Sequence, residues 1–114
     1  MKKWIGIVTA LFLALGTATA FADHIQPVEP KHIKNKKAKK QFDQGVKELK
    51  KDNFSAAVIY FQAAEKFDPN VPEFHVDTAL ALAAQGQKFQ AKNEFDQAAN
   101  LIAQAASTGT PPKG

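Results

Sequence analysis

Apolar residues along this chain follow three successive patterns. Ile5 to Leu15 is an almost unbroken apolar run of 11 residues. Asp23 to Pro30 carries two prolines and no apolar periodicity, the mark of an irregular linker. From about Lys36 onward the apolar residues recur at helical spacing. Ala38, Phe42, Val46 and Leu49 share one helix face, and Ala57, Phe61, Ala64 and Phe67 share another further on. Asp52-Asn53 predicts the end of the first helix and the cap of the second. Asp68-Pro69-Asn70-Val71-Pro72 stops the second, because proline lacks an N–H donor and forces its predecessor out of helical geometry. Gly86 closes the third. Ser107 to Gly114 has nothing to bury and is expected to be disordered. The expectation is an all-α chain of four helices with short turns and no strand.

The first pattern is a targeting segment. Met1-Lys2-Lys3 is a positive start, the apolar run follows, and small residues from Gly16 to Ala22 form the exit. That order is the secretory signal pattern. Ala18-Thr19-Ala20 and Ala20-Phe21-Ala22 both fit a cleavage site. Cleavage after Ala22 is preferred to Ala20, because it leaves acidic Asp23 at the new N-terminus. The apolar run falls well short of the ~20 residues that span a bilayer, so stable membrane insertion after cleavage is not expected. The domain expectation is a signal peptide at 1–22, a flexible Pro- and Lys-containing arm at 23–35, a helical domain at 36–106 and a disordered tail at 107–114. The protein is expected to be periplasmic, or secreted where no outer membrane exists.

Charge sharpens the picture of the arm. All 15 cations are lysine and there is no arginine, so bidentate phosphate and base recognition is missing and nucleic acid is not an expected partner. Residues 31–51 hold nine lysines and two acids, whereas residues 52–112 hold three lysines and seven acids. The basic end reads first as a solvated, self-repelling helix start. Its sharper reading is a weak contact from Lys31–Lys51 to an anionic surface or envelope polymer.

A repeat with a period of 34 then emerges: Ala57 recurs as Ala91, Phe61 as Phe95, Ala64 as Ala98, and Gly45 as the small Ala79. Small, aromatic, small is the spacing at which two antiparallel helices approach closely while one ring fills the gap. A 34-residue helix-turn-helix of this kind resembles the tetratricopeptide repeat (TPR). The first copy, 38–71, carries Gly45, Phe54, Ala57, Phe61, Ala64 and Pro69 where the family has small, aromatic, Ala, aromatic, Ala and Pro. The second, 72–105, keeps Ala79, Gly86, Ala91, Phe95 and Ala98, with Phe89 one residue late and Ala103 in place of the closing proline. Gln41, Gln44 and Glu48 stand where the family has large apolar residues, which suits the N-terminal end of an array. The resemblance implies two tandem helix-turn-helix repeats in a short right-handed α-solenoid. It places Phe61 and Phe95 in the core beside close-approach alanines.

The resemblance also implies a concave groove lined by the first helix of each repeat. By position that groove is Lys39, Phe42, Val46, Leu49 and Lys50, then Glu73, Val76, Leu80, Ala83 and Ala84. The family's clamp for a C-terminal carboxylate needs asparagine where this chain has Asp43 and Asp77, so that clamp is expected to be missing. The apolar stripe Phe42, Val46 and Leu49 could equally be covered by the chain's own arm or by a second copy.

Catalytic chemistry finds little support. With no cysteine there is no disulfide, thiol nucleophile or thiolate metal site. His24 and His32 lie in the arm and His75 in the third helix, with no His-x-x-x-His or His-x-x-Glu spacing in the folded part. Glu73 and Asp77 lie four apart on one helix face with His75 on another, which reads as solvated rather than catalytic. No enzyme, no cofactor and no metal site beyond loose capture by Asp23-His24 are expected. The leading expectation is a periplasmic protein-protein interaction module binding a peptide or partner helix in the groove. The alternatives are a structural subunit that self-associates or stacks in a larger envelope assembly, and a polymer binder acting through the lysine arm. Two repeats without staples are expected to be marginal alone and to gain stability from association. The mature chain is expected to begin at Asp23 and to be released by osmotic shock. N-terminal sequencing that finds Met1 intact on membrane-bound protein would contradict export.

Overall fold

The computed structural model describes residues 25–109. The signal segment, its two cleavage sites, His24 and residues 110–114 lie outside them. Four helices follow one another: α1 Lys36–Lys50, α2 Phe54–Phe67, α3 Pro72–Ala84 and α4 Lys88–Thr108. Each packs on the next in chain order, α1 on α2, α2 on α3 and α3 on α4. The described residues contain no strand, and none of their helices is long and apolar enough to cross a membrane.

Local chemistry sets the helix ends. Asn35 caps α1 by accepting from the Ala38 N–H at 2.9 Å, and its Nδ2 donates to the Phe67 carbonyl at 3.1 Å. One side chain therefore starts α1 and ties it to the end of α2. The two helix-turn-helix corners have the same shape, 34 residues apart. Asn53 N–H donates to Glu48 O across the first corner, and Gln87 N–H to Leu82 O across the second. Both corners need a left-handed residue: Asp52 at φ 63° in the first and Gly86 at φ 80° in the second. Asp52 thus breaks α1 as the sequence suggests. The expected cap from Asn53 is not made, because its amide turns back to Glu48 Oε1 at 3.5 Å. Pro72 opens α3, where its missing N–H would have had no helical partner. At the far end α4 continues through Ser107 and Thr108, whose hydroxyls donate to the Gln104 carbonyl. Ser107 to Gly109, which were expected to be disordered, are therefore ordered here, and the rest of that expected tail lies outside the described residues.

Three rings centre the core. Phe42 of α1 lies with its ring centroid 5.5 Å from Phe61 of α2 and 5.1 Å from Phe74 of α3, in tilted arrangements suited to aromatic quadrupoles. Ala38, Val46, Leu49, Ala57, Val58, Ala64, Val71, Ala79, Ala81, Leu82 and Ala91 complete it, with Ala98 also buried. The close-approach alanines 57, 64, 91 and 98 are all buried, as their spacing predicts. Their aromatic companions are not equivalent. Phe61 is fully enclosed, but Phe95 is 39% exposed and Phe89 is 77% exposed. The reason is position in the stack: α2 has a helix on either side, whereas α4 has only α3 to pack on and leaves its outer flank open. Phe54 is half-buried against the core. Phe67 falls outside the buried face that it was expected to share, being 45% exposed with the Lys37 ammonium 5.9 Å from its ring centroid.

The arm departs most from expectation. Residues 25–35 are not helical, yet Ile25 and Ile33 pack against the core, and the Val28 N–H donates to Asp77 Oδ1 at 2.7 Å. The described part of the arm is a cover on α1 and α3. Arm residues 29–33 lie beside Phe42, and the stripe Phe42, Val46 and Leu49 is buried.

Gly45 fixes how closely α1 and α2 approach. A Cβ at this position would lie 2.5 Å from two ring carbons of Phe61, a ring with no free side to move into. Overpacking of this kind costs about 1–3 kcal/mol, against ~1 kcal/mol that alanine gains over glycine in a helix. Gly45→Ala should therefore lower stability in denaturant titration. An unchanged or raised midpoint would contradict the packing.

Candidate functional site

Two groups of polar side chains lie one on each side of α3. Glu73 and Asp77 face the arm, while His75, between them in sequence, points the other way toward α2 and α4.

On the arm side, the residues assigned to a groove separate into three groups. Phe42, Val46 and Leu49 are core and offer no open surface. Glu73, Val76 and Leu80 are half-buried, and Lys39, Lys50, Ala83 and Ala84 are exposed. Lys39 is engaged by Asp43, one turn on, at 2.7 Å. A cavity of about 250 Å³ remains between arm residues 29–33 and Lys39, Phe42 and Asp43 of α1. Asp77 is the polar centre of this side. Its carboxyl is fully buried, with Oδ1 accepting from Val28 and Oδ2 lacking a hydrogen-bond partner among the described residues. Burial pushes its pKa up to about 8, with Glu29 and Glu73 adding to the rise and the Val28 N–H opposing it. Asp77 is therefore a neutral acid at neutral pH. Far from being a solvated carboxylate, it holds the main chain of the arm.

On the other side three helices bring together Glu65 of α2, His75 of α3 and Glu94 of α4. His75 Nδ1 lies 2.8 Å from Glu94 Oε1 and 3.4 Å from Glu65 Oε1. Its Nε2 lies 2.8 Å from the Pro69 carbonyl oxygen. Thr78 Oγ1 hydrogen-bonds Glu65 Oε2 at 2.5 Å and the Phe74 carbonyl at 2.8 Å. Burial pushes Glu65 up to about 7, helped by Glu94 and opposed by the Thr78 hydroxyl and His75. His75 is raised from its ordinary value. Burial acts to lower it, but the hydrogen bonds to Glu94 and Pro69 and the two carboxylate charges outweigh that penalty. A cavity of about 520 Å³ lined by Gln62, Glu65, Lys66, Pro69, His75 and Gln97 opens beside the cluster.

Sequence reasoning missed this cluster because it sought ligands one helical turn apart. Glu65, His75 and Glu94 come from three helices, and no short spacing links them. One signal was available: Glu94 lies on the same face of α4 as Ala91 and Ala98, and a carboxylate between two close-approach alanines must find a buried partner.

No protein-family model, curated protein or solved structure matches this chain.

Glu65, His75 and Asp77 all bind a proton more tightly in the folded chain than at their ordinary values of 4.5, 6.5 and 3.8. The stability tied to such groups is complete below those ordinary values and is lost as pH rises through the raised ones. For Asp77 that window runs from 3.8 to about 8, and for Glu65 from 4.5 to about 7. His75 acts in the same direction above 6.5. Thermal melts should show Tm falling by several degrees between pH 5 and pH 8, since about 1 kcal/mol moves Tm by roughly 4–8 °C in a domain of this size. Asp77→Asn, which keeps an acceptor for Val28 but cannot ionise, should flatten part of that decline. A Tm that rises over this range would contradict the assignment.

Proposed function

We propose that this chain is an exported, non-enzymatic docking module built from two TPR-like repeats, in which the face of α1 and α3 binds a peptide main chain. The matching corners at Asp52 and Gly86, 34 residues apart, support the two-repeat reading. The observation that carries the binding reading is the seating of residues 25–33 on that face, with the Val28 N–H on Asp77 Oδ1. Val28 contributes little through its side chain, which is 44% exposed; its backbone makes the bond. A face that holds an irregular segment by its backbone and two isoleucines suits peptide recognition, and the arm is its resident occupant. A partner segment gains access by displacing the arm, so binding is expected to be weak until the arm is loosened.

A second reading has its own observation. Phe95 and Ile102 are exposed on the outer flank of α4, in line with Ala99 and Ala106 at helical spacing. A helix with one apolar face unpacked suits the end-to-end stacking of a structural subunit.

A labelled peptide copying residues 23–34 tests the first reading by fluorescence anisotropy against the mature chain. Val28→Pro removes the N–H donor from the tethered arm. That variant should bind the free peptide at least 10-fold more tightly than the parent, and adding Asp77→Ala should abolish the gain. The signal should survive 0.5 M salt, at which exposed charges are screened and lysine-driven adhesion would vanish. Equal, salt-sensitive or absent binding to parent and variant would refute peptide docking on this face.

A further inference from the structure

We propose that Glu65, His75 and Glu94 form a site for one divalent transition-metal ion of the zinc class, ligated by His75 Nδ1 and one oxygen of each glutamate. The three ligand atoms, one from each residue, all lie within 4.8 Å of one another. They come from three different helices, so the backbone and not a flexible loop sets their convergence. This inference is independent of peptide docking, which uses the opposite side of α3.

The hydrogen-bonding of the imidazole carries the argument. Nε2 faces the Pro69 carbonyl oxygen at 2.8 Å, and only an N–H can face a carbonyl oxygen at that distance. The ring proton of neutral His75 is therefore on Nε2, which leaves the Nδ1 lone pair aimed at carboxylate oxygens 2.8 and 3.4 Å away. Without an ion the place between them is taken by a proton bonding Nδ1 to Glu94 Oε1 at 2.8 Å, and a divalent ion would displace it. A proton on Nδ1 can form one strong bond. A divalent ion satisfies all three ligands at once and cancels the charge of both glutamates.

The dimensions and surroundings suit such an ion. Ligands held at 2.0–2.2 Å from a tetrahedral zinc are separated by about 3.3–3.5 Å. The His75–Glu65 separation of 3.4 Å already meets this, and the His75–Glu94 separation of 2.8 Å needs to open by about 0.5 Å. Ligand histidines in metal sites commonly donate their second nitrogen to a carbonyl, and ligand carboxylates are held by a further hydrogen bond. Pro69 and Thr78 fill those two roles here, with Thr78 holding Oε2 of Glu65 and leaving Oε1 for the ion. The adjacent cavity of about 520 Å³ offers an entry path and room for water as a fourth ligand. One imidazole and two carboxylates favour zinc, nickel or cobalt over magnesium and calcium, which take oxygen ligands alone.

The test uses the full mature chain, stripped with chelator and titrated with zinc chloride by calorimetry. One ion per chain is expected, undisturbed by excess magnesium, and Glu65→Gln and Glu94→Gln should each weaken it at least 10-fold. His24→Ala with His32→Ala should leave affinity unchanged, which separates this site from capture by the arm. The 15N resonance of His75 Nδ1 on the unmutated chain should shift to a metal-bound value at saturation, and this readout does not depend on any variant folding. Absence of uptake, uptake lost with His24 and His32, or an unmoved His75 resonance would each overturn the site.

Discussion

The contact between the bare Cα of Gly45 and the ring of Phe61 sets the geometry of this molecule. With no Cβ in the way, α1 rests directly on the Phe61 ring, and that ring in turn orients Phe42 toward Phe74. The spacing of α1 and α2 then lets a single side chain, Asn35, cap one helix and bond the end of the other. A larger residue at position 45 would separate the pair and loosen both contacts. The aromatic trio therefore depends on one missing methyl group.

α3 is the element that the remaining structure surrounds. It packs between α2 and α4 and lies beneath the arm, and Pro72, Phe74, Thr78, Ala79, Ala81 and Leu82 are all buried. The polar side chains on its buried faces cannot reach water, so His75, Asp77 and Thr78 take partners within the protein. Asp77 takes the Val28 N–H and remains a neutral acid; His75 takes Pro69 and Glu94; Thr78 takes Phe74 and Glu65. Burial costs a polar group its hydration, and these bonds offset that loss. The same burial raises the pKa values of Asp77 and Glu65, so the groups with the most unusual protonation are those that hold α3 to its neighbours.

The arm changes what the α1–α3 face can do. A groove lined by Phe42, Val46 and Leu49 would expose three apolar side chains to water, which a short chain with no disulfide tolerates poorly. Those side chains are buried instead, Ile25 and Ile33 add to the core they belong to, and the Val28–Asp77 bond sets the register of the segment. Apolar surface is left uncovered elsewhere, on the outer flank of α4 around Phe95 and Ile102, at Phe89, and at Ile59 and Phe67 of α2.

Helix number, helix ends and most of the core were legible in the sequence, because 3.6-residue periodicity and the breakers Asp52, Pro69, Pro72 and Gly86 act locally. The close-approach positions 45, 57, 64, 91 and 98 could be read for a related reason: small residues recurring at 34 mark where helices meet, whichever helices they are. Whether an aromatic at those positions is buried depends on neighbours. Phe61 and Phe95 have identical local patterns and opposite exposure, since only one has a helix on both sides. The arm looked flexible because prolines and lysines lack periodicity, yet two isoleucines and one backbone N–H suffice to dock it. The partnership of Glu65, His75 and Glu94 was least legible. No spacing along the chain relates them, and only the stacking of α2, α3 and α4 brings one imidazole between two buried carboxylates.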